Sequence, residues 1–485
     1  MTLDSRKRWL ALIVLCLGEL MIVLDTTIVG VALPSIREDL RFTETSLVWV
    51  VNAYILTYGG FLLLGGRLGD LYGQRRLFVA GTTLFTLASL ACGVAGSQWL
   101  LIAARFVQGL GGAVVSSIAL SLIMNLFTEA EERAKAMGIY GFVCAAGGSI
   151  GVLVGGLLTS GLSWHWIFLV NLPIGAAVCA YCIALLPDDR PQGAGQRLDV
   201  AGAVAITLSL MLAVYAIVNG NEAGWTSAQT LGLLGGALAL LAVFLVIEAR
   251  VNAPLMPFGL FSSRNFSTAS VVGALWSAAM FAWFFISALY MQLVLGYSAM
   301  QVGLAFLPSN LIMAAFSLGL SAKMVMRFGN RLPLAVGLAL AAAGLALFAF
   351  SPVEGSFALH VLPGMTLLGI GCGMALNPVL LVAMSEVAPG DSGLASGVVN
   401  TAFMMGGALG LAVLASLSAA RTEALTAAGI AMPAALTGGY HVAFAIGAVF
   451  AGVAALLSAV LLRPASQPAA DSLALAPEAG TGSGS

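Results

Sequence analysis

Apolar residues run through this chain in long blocks rather than in alternation. The blocks lie at roughly 9–31, 47–66, 77–96, 100–126, 136–159, 166–186, 199–218, 229–249, 268–295, 301–322, 333–351, 359–384, 394–419 and 440–462. Each is long enough to cross about 30 Å of hydrocarbon as an α-helix, and none carries the period-two alternation of a membrane β-strand. The pattern predicts an all-α, polytopic membrane protein with fourteen spans. Two polar stretches, 32–46 and 421–440, read as longer loops. The Pro-, Ala-, Ser- and Gly-rich end, 464–485, reads as a disordered tail.

Composition agrees with this picture. Hydrophobic residues make up 60% of the 485 and charged residues only 8%, too few to cover a water-soluble surface of that size. The 58 glycines suit close packing of membrane helices. The net charge of −1 says little, but its placement says more. With the first residues inside, sixteen Lys and Arg fall on the inner side, only Arg37, Arg41 and Arg421 fall outside, and Arg105 remains within a span. That bias predicts cytoplasmic termini in a multi-pass cell-membrane protein. The first block follows a basic triplet but holds two acids and has no small-x-small cleavage site, so it reads as an uncleaved anchor. The six cysteines all lie in apolar spans and read as packing residues.

The chain reads as two related halves around an insert. "GGSIG" at Gly147 to Gly151 returns as "GGALG" at Gly406 to Gly410, 259 positions on, and Gly109 and Gly369 repeat at 260. Residues 1–190 form a six-helix bundle in this division, 191–262 a two-helix insert with its linkers, 263–463 a second six-helix bundle, and 464–485 the cytoplasmic tail.

Charges inside the spans carry the candidate chemistry. Glu19 and Asp25 share the first helix, some 120° apart around it and about 9 Å apart along it. A charge at the bilayer centre costs on the order of 2.5–3.5 kcal/mol on insertion scales, and low dielectric favours the neutral form of an acid. Acids so placed suit proton exchange, although neutral carboxyls that only bond a neighbouring helix would look the same. Arg105 needs an acceptor, either these acids or backbone carbonyls, in a working or a static pair. Gln108, one turn on, shares its face.

Four stretches, taken together, resemble a known family. "GGRLGDLYGQRR" (65–76) is similar to the signature loop of the major facilitator superfamily. "LDTTIVGVALPSI" (24–36), "RFVQGLGGA" (105–113) and "SWHWIFLVNLPIG" (163–175) resemble motifs of its fourteen-helix drug:proton antiporters. The resemblance implies two bundles working by alternating access, and proton-driven export of small amphipathic compounds. It gives Asp25 a coupling role beside Glu19 and Arg105. It makes Asp70 a cytoplasmic latch between bundles, with Gly66, Gly73, Arg75, Arg76 and Arg133 around it. It also makes Gly147, Gly151, Gly155 and Gly156 a packing motif of the fifth span. The chain departs from the pattern at Gly30 (usually Asn), at Val152 (usually Pro), at His165 (usually Arg), and at Phe403 and Met404, where relatives carry an Arg-Gln pair. The missing proline keeps a symporter or facilitator that imports a small solute as an alternative.

Substrate contacts are expected among Glu19, Asn52, Tyr54, Gln108, Trp276, Met280, Trp283, Asn377 and Asn400, polar or aromatic groups in apolar surroundings. Each could equally be core. No acid lies deep in a C-terminal span, so the expected cargo is lipophilic and neutral or monocationic. None of the three lysines follows a glycine, which rules out a P-loop, and no catalytic constellation stands out. An enzyme or a receptor is disfavoured. The expected partners are small substrate, protons and lipid, with no nucleic acid, cofactor or metal, and the chain is expected to be a monomer.

Overall fold

The computed structural model describes residues 4–463 except 128, 187–198, 252–253, 317–319, 386 and 388–391. The tail from 464 and the side chains of Asp70 and Arg133, with the surroundings of Gly66, lie outside the described residues. Helices dominate, and no strand occurs among the described residues. Among the described residues, twelve helices are long and apolar enough to cross a membrane, and two shorter apolar ones, Ile150–Gly161 and Ala299–Ala315, stand at the positions of the remaining blocks.

In the N-terminal half, α1 spans Ser5–Leu40, α2 Glu44–Tyr72, α3 Gln74–Gly93, α4 Gln98–Leu126 and α5 Ala130–Gly161. The sixth block is broken into a short α6, Trp166–Leu169, and α7, Asn171–Leu185. The insert is the pair α8, Val200–Ala223, and α9, Ala228–Arg250. The C-terminal half holds α10 (Arg264–Leu289), α11 (Ala299–Ala315), α12 (Ser321–Phe328), α13 (Arg331–Phe348), α14 (Leu362–Met384), α15 (Ser392–Ala427) and α16 (Met432–Leu461).

Local signals set many of the helix ends. Thr43 caps α2 reciprocally: its hydroxyl accepts the Ser46 N–H, and the Ser46 hydroxyl accepts the Thr43 N–H. Ser97, Asp199, Ser227, Ser263 and Ser298 cap α4, α8, α9, α10 and α11 in the same position. Helices α2 and α3 meet at Gly73, whose φ of 94° is one that a residue with a Cβ rarely adopts.

Both expected long loops shrink. Helix α1 continues to Leu40 and α2 begins at Glu44, leaving a turn of three residues. Helix α15 continues to Ala427 and α16 begins at Met432, leaving four. Hydropathy stops where charge begins, whereas backbone hydrogen bonding does not. At 36 residues, α1 is about 54 Å long and overruns the hydrocarbon core.

The two halves meet unevenly. On the face where α1 ends, here the distal face, polar ties join one half to the other. Gln292, in a π turn at Tyr290–Val294, donates to the Val31 carbonyl at 3.1 Å. The Met300 N–H donates to Ser160 Oγ at 3.1 Å. Deeper in, Asn52 donates to the Ala408 carbonyl at 2.9 Å and Thr401 to the Gly59 carbonyl at 3.2 Å. On the opposite face, where α1 begins and α16 ends, Arg8 pairs with Glu132 at 2.9 Å, and Asn265 bonds Ser385 and the Arg463 N–H, each a tie within one half. The halves are closed together distally.

Glycine makes that closure possible. Gly147, Gly151 and Gly155 of α5 pack on α1, whereas Gly156 turns to α11, where an added Cβ would sit 2.8 Å from the Ala299 carbonyl. Gly148 faces open space. Gly156→Ala is therefore expected to destabilise the protein by about 1–3 kcal/mol through overpacking. Gly148→Ala is expected to be neutral, or to stabilise by about 0.5–1 kcal/mol through helix propensity. Thermal unfolding of the two purified variants, side by side, checks this; equal melting temperatures would contradict it.

Candidate functional site

Four helices deliver polar side chains to one spot inside the N-terminal half, and a fifth contributes its backbone and a ring. Helix α1 supplies Asp25, fully buried, and α4 supplies Arg105 and Gln108 three residues apart on one face. Helix α3 adds Ser89 and α7 adds Asn171, both buried. Arg105 NH1 donates to Asp25 Oδ2 at 2.5 Å and to Gln108 Oε1 at 2.7 Å, and its Nε donates to the Val50 carbonyl of α2 at 2.9 Å. Gln108 Nε2 donates to Asp25 Oδ1 at 2.7 Å and to Ser89 Oγ at 2.8 Å. Asn171 Nδ2 completes the set at 3.3 Å from Asp25 Oδ1. The guanidinium lies 4.4 Å from the Tyr54 ring centroid and 5.6 Å from that of Phe168, which adds cation–π attraction.

Both oxygens of Asp25 are thus satisfied, and its charge is balanced by Arg105. Arg105 uses an acid and a carbonyl at once. Tyr54 and Gln108, expected as substrate contacts, are committed to this cluster. Asn52, expected in the same role, gives its amide to the contact between the halves.

Glu19 is placed differently. It is buried outside the Asp25 cluster, with the hydroxyls of Ser116 of α4 and Tyr140 of α5 as its hydrogen-bonding neighbours and no cation beside it among the described residues. In the C-terminal half, Trp276 packs on Phe403 at a centroid distance of 5.5 Å. Trp283 packs on Phe306 at 5.8 Å, and its indole N–H has no acceptor. Met280, Asn377 and Asn400 are half-buried. Arg75 donates to the Ile183 carbonyl at 2.8 Å, a tie within the half, and Arg76 is exposed.

Ser89, which accepts from Gln108 and Asn171, and Asn171 itself were not anticipated in the Asp25 cluster. Asn171 stands inside the stretch "SWHWIFLVNLPIG", where a lone amide at a helix start was the available signal. Ser89 offered none, since a serine in a small-residue helix is unremarked.

The family model described as Major Facilitator Superfamily matches residues 15–411. The chain is 39% identical to the puromycin resistance protein pur8 of Streptomyces alboniger, over 94% of this chain and 90% of that protein. It is 39% identical to the cephamycin export protein CmcT of Amycolatopsis lactamdurans, over 93% and 92%. It is 37% identical to the multidrug resistance protein Stp of Mycobacterium tuberculosis, over 86% and 77%. Among solved structures, the peptide-transporter-family protein PepTSo matches with a TM-score of 0.68 at 14% identity, over 95% and 98%. A bacterial homolog of the human lysosomal transporter Spinster, in an inward-facing conformation, matches at 0.67 and 17%, over 94% and 97%.

Removing one member of a buried ion pair leaves the other uncompensated, at about 3–5 kcal/mol. Asp25→Asn is expected to destabilise by that amount, and the double variant Asp25→Asn/Arg105→Gln to recover part of it. Thermal unfolding in detergent checks both, and a double variant no better than the single one would show that the pairing is not the cause.

Proposed function

The chain belongs to the Major Facilitator Superfamily, and on that premise we propose that it exports lipophilic neutral or monocationic compounds, antibiotics among them, by alternating access against inward proton flow. Similarity over nearly the whole chain to proteins named for puromycin resistance, cephamycin export and multidrug resistance supports the cargo class. The basic residues, sixteen on one side against three on the other, support cytoplasmic termini. The distal face is then the outer one, and its closure corresponds to an inward-facing state. The driving force is the proton gradient, with no cofactor, and the working unit is the monomer of a fourteen-helix antiporter.

One observation carries the proton step: the contrast between the two acids of α1. Asp25 is saturated by Arg105, Gln108 and Asn171, whereas Glu19 is buried with only the hydroxyls of Ser116 and Tyr140 beside it and no cation among the described residues. A buried carboxyl in that position is satisfied by a proton or by a cationic cargo, but not by both at once, which is the exchange that antiport requires. Glu19 is therefore the exchanging group, and Asp25 with Arg105 fixes the helices around it. Trp283, with its unused indole N–H, and Met280, Trp276, Asn377 and Asn400 are the candidate cargo contacts of the second half. Asp70, with Gly66, Gly73, Arg75, Arg76 and Arg133, latches the cytoplasmic side in the outward-facing state.

Drug efflux from cells producing Glu19→Gln or Asp25→Asn, with and without an uncoupler, tests this. Export by the unaltered protein collapses with the uncoupler. In Glu19→Gln its proton-dependent part falls by about 5–150-fold, the range of a coupling free energy of about 1–3 kcal/mol. Retained, uncoupler-sensitive export in both variants and their double would overturn the mechanism. Equal export of monocationic and bis-quaternary compounds would overturn the cargo class.

A further inference from the structure

Away from the Asp25 cluster, a second group of charged side chains sits between the halves on the distal face. Arg37 lies in the last turn of α1 and Glu44 in the first turn of α2. Glu44 Oε1 receives Arg37 NH1 at 3.5 Å and, across the gap between the halves, the hydroxyl of Tyr440 on α16 at 3.3 Å. Tyr440 is only 1% exposed. Beside them is a cavity of about 430 Å³, lined by Arg37, Glu44, Thr422, Glu423, Met432 and Leu436. The other distal ties, Gln292 to Val31 and Met300 to Ser160, are between neutral groups. Tyr440 to Glu44 is the one described here with a carboxylate as acceptor.

We propose that Glu44 is a positioning residue of the outer gate: ionised, it holds Tyr440 and keeps the halves closed, and protonated from outside, it lets them part. This inference deepens the export function proposed above and rests on the orientation given there. The charged and titratable groups facing Glu44 are Arg37 from α1, Glu423 from α15 and Tyr440 from α16. His441, next to Tyr440, commits Nε2 to the Ser351 carbonyl. A hydrogen bond to a carboxylate is roughly twice as strong as one between neutral groups, so neutralising Glu44 weakens the bridge. When the halves part, Glu44 meets external water and Tyr440 leaves with α16. External acid thus favours the state in which cargo is released outward, the point in the cycle at which protons must enter.

The test measures distance rather than transport. Spin labels are placed at Val94→Cys and Ile430→Cys, both exposed at the distal ends of the two halves, in the full chain with its native cysteines replaced by alanine. In the parent, the population of longer distances grows as the pH is lowered from about 8 to about 5, where carboxylates take up protons. In Glu44→Gln that population is raised at the upper pH and no longer responds. In Tyr440→Phe it is raised about tenfold, one charge-assisted hydrogen bond having been lost. A parent without a pH response, a Glu44→Gln response equal to the parent's, or unchanged distances in Tyr440→Phe would each overturn the proposal. The distances are read without cargo or gradient, so their failure would leave the export function standing, and failure of the efflux test would leave these distances meaningful.

Discussion

A guanidinium and a carboxylate held away from water lose their hydration, and only close contact with full hydrogen bonding offsets that loss. Asp25 and Arg105 meet at 2.5 Å, both Asp25 oxygens and the NH1 and Nε of Arg105 bond buried partners, and the guanidinium packs on the Tyr54 and Phe168 rings. The partners come from α1, α2, α3, α4 and α7, so the pair exists only when those helices are seated together. Its cost in isolation and its stability in company bind those five helices rigidly to one another. A rocking transporter needs that rigidity, because motion at the gates must come from the halves turning as units and not from helices loosening within them.

The same saturation separates the two acids of the first helix. Six residues of helix turn Glu19 away from the Asp25 cluster, toward Ser116 and Tyr140, and leave it without a cation among the described residues. One helix therefore carries both a charge paired with a cation, which organises packing, and a buried carboxyl with only hydroxyls beside it.

The block pattern of the sequence made the spans legible, even the sixth, which folds as two helices. It could not locate helix ends beyond the hydrocarbon, since the first apolar block ends at about 31 while the helix runs on to Leu40. For that reason Glu44 was hidden in an expected loop. Asp25 and Arg105 were visible because a charge among apolar residues has few explanations. Ser89, Asn171 and the Val50 carbonyl were not visible, because their role depends on which helix faces which, and small polar groups carry no such address. The glycines of α5 show the same limit: four appeared as one motif, but Gly147, Gly151 and Gly155 serve α1 while Gly156 serves α11.

The insert adds a constraint of its own, because α8 touches both halves by different means. Toward α15, Asn221 donates to the carbonyl and hydroxyl of Ser416, and the Ser416 hydroxyl donates back to the Ile217 carbonyl. Toward α2, Thr207 fills the space over Gly60, but its hydroxyl is spent on the Ala203 carbonyl of its own helix. Hydrogen bonds in a low-dielectric surrounding resist displacement, whereas packed surfaces are held by short-range dispersion that fades as soon as a gap opens. Parting α8 from the C-terminal half breaks polar bonds, whereas shifting it along the N-terminal half only exchanges one van der Waals surface for another. The two contacts of α8 therefore differ in kind: directional polar bonds hold it to α15, and side-chain packing, Thr207 over Gly60 and Tyr215 against Trp49, seats it on α2.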